Sequence, residues 1–278
     1  MKMDTIRLRP VNECIYCPAK PGPDLLSDEH IIPYCLDGNT VLPKASCLHC
    51  AKITASVEQH LGRSVLGDFR LSHNMRSRRK RDRPSSIKTT LLTPEGAKNV
   101  VHIPKEEHPA PFPLIFFPQA RWISGETELP KEVSVGYVLT RESPYNENID
   151  LASRNIDFYS YAVAMMKIAH CLAVMWLGVD GFNHVLPPII LDRKGVDISP
   201  YFGCTPENKQ AEPHPSHIHS IELRTYHGRF LVVIGVRLFA HIGSSTSKLP
   251  TYQIVAGTFE GSMIHRYRNR MPFQSADA

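Results

Sequence analysis

Two C-x-x-C pairs constrain this chain more than any other feature: Cys14-Ile-Tyr-Cys17 and Cys47-Leu-His-Cys50, with twenty-nine residues between them. Each pair can form a knuckle that grips one ion. Four thiolates then complete a tetrahedral Zn²⁺ site, and the separation leaves room for a β-hairpin. The alternative is four independent core thiols, which have no reason to repeat a pair spacing. Cys35, Cys171 and Cys204 have no such partner and read as ordinary buried or surface thiols. The odd total of seven cysteines, the lack of an apolar run after Met1 and the paired spacing favour thiolate metal binding over a disulfide framework. A reducing, cytoplasmic setting is the expectation.

At 278 residues and 42% hydrophobic content the chain can bury a core as one large domain or two ordinary ones. An α+β fold is expected in three parts. Residues 1–67 form a zinc-ribbon module, residues 68–88 a basic linker or arm, and residues 89–278 a mixed α+β domain. In the first part, Glu29 to Ile32 is a short β-favouring run stopped by Pro33, and Asp37-Gly38 supplies turn chemistry before Thr40-Val41-Leu42. Beyond Cys50, Ile53, Val57, Leu61 and Val65 recur every four residues, the spacing of a helix. In the last part, short β-like runs around residues 100–103 and 133–139 suggest a small mixed sheet. Phe158 to Gly178 predicts a helix capped by its glycine. That stretch approaches the length of a membrane span, but Lys167 and His170 interrupt it, so a buried core helix is expected. Residues 220–226 and 229–236 read as a hairpin about His227-Gly228, and 251–256 as a further strand.

Between the cysteine pairs lies Ser27-Asp28-Glu29-His30-Ile31-Ile32-Pro33. With Cys14, Cys17, Gly38-Asn39, Cys47 and Cys50 around it, this segment resembles the HNH endonuclease family, in its zinc-ribbon members. The likeness covers about the first sixty-five residues. It implies a ββα-metal module in which His30 is the general base that activates a water for in-line attack on a phosphodiester. Glu29 would bind the divalent metal, and Asn39 would hold His30 in orientation. The bland reading of His30 alone is a hydrogen-bonded structural histidine.

One residue departs from the family pattern. An Asn or His that usually follows the last cysteine as second metal ligand is here Ala51, which cannot bind metal. A replacement further along the helix would need a spacing of three, four or seven. Thr54 and Glu58 satisfy it, whereas His60 is about half a turn out of phase. Glu58 is therefore the expected ligand, against the bland reading of a solvated helix carboxylate, with Thr54 a water-mediated contact and His60 in reserve. Two carboxylates beside a histidine would suit Mg²⁺ or Mn²⁺.

The net charge of +5 is concentrated after the cysteine region, where Arg76, Arg78, Arg79, Lys80, Arg81 and Arg83 can neutralise phosphates. A solvated or targeting charge run is the alternative. His214, His217 and His219 could form a second metal set, but the flanking Pro213 and Pro215 favour an exposed loop. His170 reads as a core histidine. The chain is therefore expected to be a divalent-metal-dependent HNH-type endonuclease with nucleic acid, DNA by resemblance, as its partner. No membrane partner is expected, a dimer is compatible with double-strand cutting, and so is a role as a gated defence effector. The rival is a catalytically inactive zinc-ribbon protein that only binds nucleic acid.

Overall fold

A computed structural model describes residues 4–19, 21–78, 82–128, 132–192, 195–207, 217–242 and 249–259. Strand β1 (Ile6–Arg7) precedes the first cysteine pair, and β2 (Leu26–His30) follows it. Strand β3 (Thr40–Cys47) pairs antiparallel with β2 on one side and parallel with β1 on the other. Helix α1 (Leu48–His60) leaves directly from β3: Cys47 is its N-cap, and its Sγ accepts a hydrogen bond from the Cys50 N–H at 3.5 Å. A π turn over Leu61–Val65 follows and leads into α2 (Gly67–Ser72).

The β2–β3 ladder contains a bulge that decides which side chains face inward. Ser27 opposes Ser46 while Glu29 opposes Leu42, so Pro43, Lys44 and Ala45 lie opposite Asp28 alone. Pro43 has no N–H to give the ladder, and Lys44 takes a left-handed φ of 51° with its N–H donating to Asp28 Oδ1 at 3.2 Å. In a regular strand, residues two apart share a face. Here Leu26 and Glu29, three apart, are both buried, and His30 is left half-exposed.

Strands β4 (Ser86–Leu92) and β5 (Lys98–Pro104) form one antiparallel ladder. Strand β6 (Pro111–Phe116), the short helix α3 (Arg121–Ser124) and β7 (Ser134–Leu139) follow, with β6 and β7 paired antiparallel in a second ladder. The small mixed sheet expected here is thus two separate two-stranded ladders. Pro111 and Pro113, two apart, remove ladder donors from β6 and limit its pairing.

Helix α4 (Phe158–Leu177) begins at Asp157, whose Oδ1 accepts from the Ser160 N–H at 2.9 Å, and ends at Gly178 with φ 79°. Strand β8 (Asn183–His184), helix α5 (Pro187–Leu191) and strands β9 (Phe202–Glu207), β10 (His217–Tyr226), β11 (Arg229–Leu238) and β12 (Leu249–Phe259) complete the described chain. The sheet runs β10-β11-β12-β8, with β9 also paired to β12. The β10–β11 turn puts His227 at φ 45° and Gly228 at φ 75°, the two positive angles of the tight turn that suits strand twist.

The α+β expectation holds in this mixed architecture. Helix α4 packs against α1 on one side and β11 and β12 on another. It is long and apolar enough to cross a membrane by length and composition, and 83% of that apolar window is buried inside the fold. One hydrophobic core runs from Ile15 and Leu61 through Met165 and Leu172 to Ile234 and Ile254. Packing therefore continues across positions 67 and 88, and the start of the expected basic arm is a helix that buries Phe69.

Candidate metal centre and the Glu29–His30 site

The four paired cysteines converge. The Sγ atoms of Cys14, Cys17, Cys47 and Cys50 all lie within 4.8 Å of one another, with Cys14–Cys17 at 3.6 Å and Cys17–Cys47 at 3.8 Å. Tetrahedral thiolate zinc with Zn–S of about 2.3 Å requires sulfurs roughly 3.8 Å apart. Donor type, number and spacing therefore fit a structural metal ion such as zinc. Burial, followed by the neighbouring sulfurs, pushes the Cys50 thiol up, which is the strain a dication between the thiolates removes.

Beyond the first pair, the bulge in the β2–β3 ladder turns Glu29 inward, where it is 5% exposed. Thr54 and Glu58, four apart on α1, face it. Glu29 Oε2 lies 3.5 Å from Thr54 Oγ1, which is also 3.3 Å from the Ala51 carbonyl oxygen. The centre of the cluster is the ammonium of Lys167, delivered from the middle of α4 and fully buried. Its Nζ is 2.6 Å from Glu29 Oε1 and 2.7 Å from Glu58 Oε1, and it also donates to the main-chain oxygen of His30. An ammonium has three N–H donors, and these three acceptors use them all. Burial opposes the charge on Lys167, yet the two carboxylates hold its pKa above the ordinary lysine value. Burial pushes the Glu29 carboxyl up, Lys167 offsets part of that rise, and the like charge of Glu58 adds to it. Glu29 and Glu58 both contact this internal cation.

His30 stands on the outer side of this cluster. Its imidazole and the Tyr34 ring form a T-shaped pair, 5.6 Å between centroids and 70° between planes. The guanidinium carbons of Arg76 and Arg78 lie over the Tyr34 ring at 5.6 and 6.0 Å. Burial first, then the charges of Lys167 and Arg78, lowers the His30 pKa, so the ring is neutral at neutral pH and able to take a proton. Gly38 closes the loop behind it: a Cβ there would fall 1.9 Å from the Ile32 carbonyl oxygen. Asn39 sits in the same loop, where its amide donates to the Asp4 carbonyl at 3.5 Å and its oxygen accepts from Thr40 Oγ1 at 3.4 Å. The described contacts of Asn39 do not reach the His30 ring.

Other residues expected to act fall in varied places. His60 points away from Glu29 and lies 3.7 Å from Asp157 at the start of α4, as its helical phase implied. Arg79, Lys80 and Arg81 lie outside the described residues, and Arg83 is half-buried. His214 also lies outside them. His217 and His219 stand on β10, not on a loop: His217 Nε2 is 3.1 Å from the Leu36 carbonyl oxygen, and His219 meets Trp176. His170 is a core histidine whose Nε2 is 2.8 Å from the Ile15 carbonyl oxygen in the first knuckle.

Three contributors escaped sequence reasoning. Lys167 carried a signal, since a lysine inside an apolar helix needs a buried counter-charge, but its partners are over a hundred positions away. Tyr34 had none. Arg70 donates to the main-chain oxygens of Cys35, Gly62 and Arg76 and so braces the His30 loop against the π turn.

No protein-family model, no curated protein and no solved structure matches this chain significantly.

Proposed function

We propose that this chain binds nucleic acid and hydrolyses its phosphodiester bonds on an HNH-type plan, with His30 as the general base. The observation that carries this reading is the half-exposed imidazole of His30, its pKa lowered, against Tyr34, whose ring in turn carries the guanidinium groups of Arg76 and Arg78. In this reading the exposed Arg78 meets a phosphate beside the base, with Arg76, which is half-buried and 3.9 Å from Asp37, behind it. His30 takes a proton from water, and the oxygen of that water bonds to phosphorus as the P–O3′ bond breaks. The leaving 3′ oxygen takes its proton from solvent. The guanidinium groups meet the charge that develops on the phosphate. Glu29 and Glu58 do not fit a divalent ion while Lys167 lies between them, so no step of this scheme runs through Mg²⁺ or Mn²⁺.

The arginines would hold phosphates without reading bases, so affinity should depend steeply on salt and weakly on sequence. DNA remains the substrate proposed, on the HNH resemblance. The test is incubation of the zinc-loaded protein with plasmid and single-stranded DNA and with RNA, with and without Mg²⁺ or Mn²⁺, beside His30→Ala. Cutting by the parent that vanishes in a folded, still-binding His30→Ala supports the reading. No cutting of any substrate under any of these conditions refutes it.

A second reading, nucleic-acid binding without cleavage, is favoured by Ala51 together with the carboxylates already engaged by Lys167. Under it His30→Ala leaves behaviour unchanged while Arg78→Glu abolishes binding.

A further inference from the structure

We infer that Lys167 is a built-in cation that takes the position a divalent metal would occupy between Glu29 and Glu58, so that the chain holds metal at its four cysteines and none at this carboxylate pair. The inference uses the HNH-type reading only to say which metal would have been expected there.

The geometry resembles a small oxygen-ligand cation site. Two carboxylate oxygens, at 2.6 and 2.7 Å, and a main-chain oxygen converge on one point, and that point is the ammonium nitrogen. The Mg²⁺ ion prefers oxygens at about 2.0–2.1 Å in an octahedron and keeps several waters. Glu29 is 5% exposed and Lys167 fully buried, and although the Glu58 side chain is 23% exposed, its Oε1 is already engaged by the ammonium. All three N–H donors of Lys167 are consumed internally, so it does not reach a phosphate itself.

Withdrawal of the lysine is opposed by its setting. It lies in the middle of a helix whose flanking residues Met165, Met166, Ile168 and Ala169 are fully buried, and three residues on, His170 meets the first knuckle at Ile15. Moving Nζ out of the cluster would require moving α4 out of the core. By holding the His30 carbonyl, Lys167 also fixes the backbone that carries the proposed base, which makes it a positioning residue.

The test is a Mn²⁺ titration of zinc-loaded protein, followed by electron paramagnetic resonance of the free ion. Expected is no uptake by the parent up to about 1 mM, the weak end of the range for oxygen-ligand cation sites. Lys167→Met should gain one Mn²⁺ and lose it again when combined with Glu58→Gln. Uptake of one Mn²⁺ by the unaltered protein that Glu58→Gln abolishes would overturn the inference, and that arm depends on no lysine variant folding. A folded Lys167→Met that takes up no Mn²⁺ would overturn it as well. Cleavage is scored separately: cutting with Mn²⁺ uptake sinks this inference and leaves the nuclease standing, whereas neither cutting nor uptake does the reverse.

Discussion

Lys167 and Glu58 are 109 positions apart in the chain and 2.7 Å apart in the fold. That contact, with its twin at Glu29, ties the central helix of the C-terminal part to the cysteine-bearing N-terminal part. It also converts a carboxylate pair that looks like a metal site into a closed ion cluster. Folding of the two parts is therefore expected to be coupled.

Removing the buried ammonium should be costly. Lys167→Met leaves two carboxylates facing each other with little water, and loss of one partner from a buried ion cluster costs about 3–5 kcal/mol. Adding Glu29→Gln and Glu58→Gln to the same variant should recover part of that. Urea melts of the single and triple variants check it; equal midpoints for the two would show that charge is not the cause.

Replacing His30 by alanine should reduce cleavage by about a hundredfold or more, the scale of a lost general base. Because burial, Lys167 and Arg78 lower the His30 pKa, the neutral ring persists below its ordinary value. The rate should hold steady as pH falls through about 6.5, the usual histidine pKa, and decline only further into acid. A rate profile with its midpoint at or above that value would count against His30 as the base.

Zinc should be present at about one ion per chain, the content of a single four-thiolate site. Cys50→Ser should lower metal content and uncouple the knuckles from α1, since Cys50 sits in the first turn of that helix. Metal analysis with thermal unfolding before and after strong chelation measures both. A protein that melts at the same temperature after complete zinc removal would contradict a structural ion.

Arg78 is exposed and lies over Tyr34, so Arg78→Ala should weaken nucleic-acid binding evenly across sequences and leave stability unchanged. The slope of log affinity against log salt should fall by about 0.9, the value for a single phosphate no longer neutralised on duplex DNA. An unchanged slope would place the phosphate elsewhere.

Acid should destabilise the fold before carboxylates titrate fully. Burial, helped by His184, brings His170 down to about 3, and burial brings His217 down to about 4. Both folded values lie below the unfolded value of about 6.5. The unfolded chain therefore binds more protons between these limits, and stability that is complete above 6.5 falls as pH drops toward 4. For fully buried His170 the slope is at most about 1.4 kcal/mol per pH unit. Unfolding free energies from pH 7.5 to 4.5 test this, with His170→Gln expected to flatten the curve.

Local chemistry made much of this legible. The pair spacing predicts the cysteine cluster, because each C-x-x-C turn is a local structure and only the hairpin length has to bring the two together. The four-residue period from Ile53 to Val65 predicts α1, and the spacing of Thr54 and Glu58 places both on one face. The Gly178 cap and the His227-Gly228 turn are likewise set by backbone conformations that few residues adopt. All of these act over a handful of positions.

What the tertiary structure decided lies at longer range. The bulge at Pro43-Lys44 turns Glu29 inward and His30 outward, a parity that the β2 sequence alone states the other way. Arg70 is a brace for main-chain oxygens because α2 carries it against the His30 loop. The sequence by itself predicts a cluster of Cys14, Cys17, Cys47 and Cys50 able to hold one cation, and offers Glu29 by resemblance and Glu58 by helix phase for a second. Only the packing of α4 on α1 determined that this second cation is Lys167, because a buried charge chooses its partner by proximity in the fold and leaves no spacing to read in the chain.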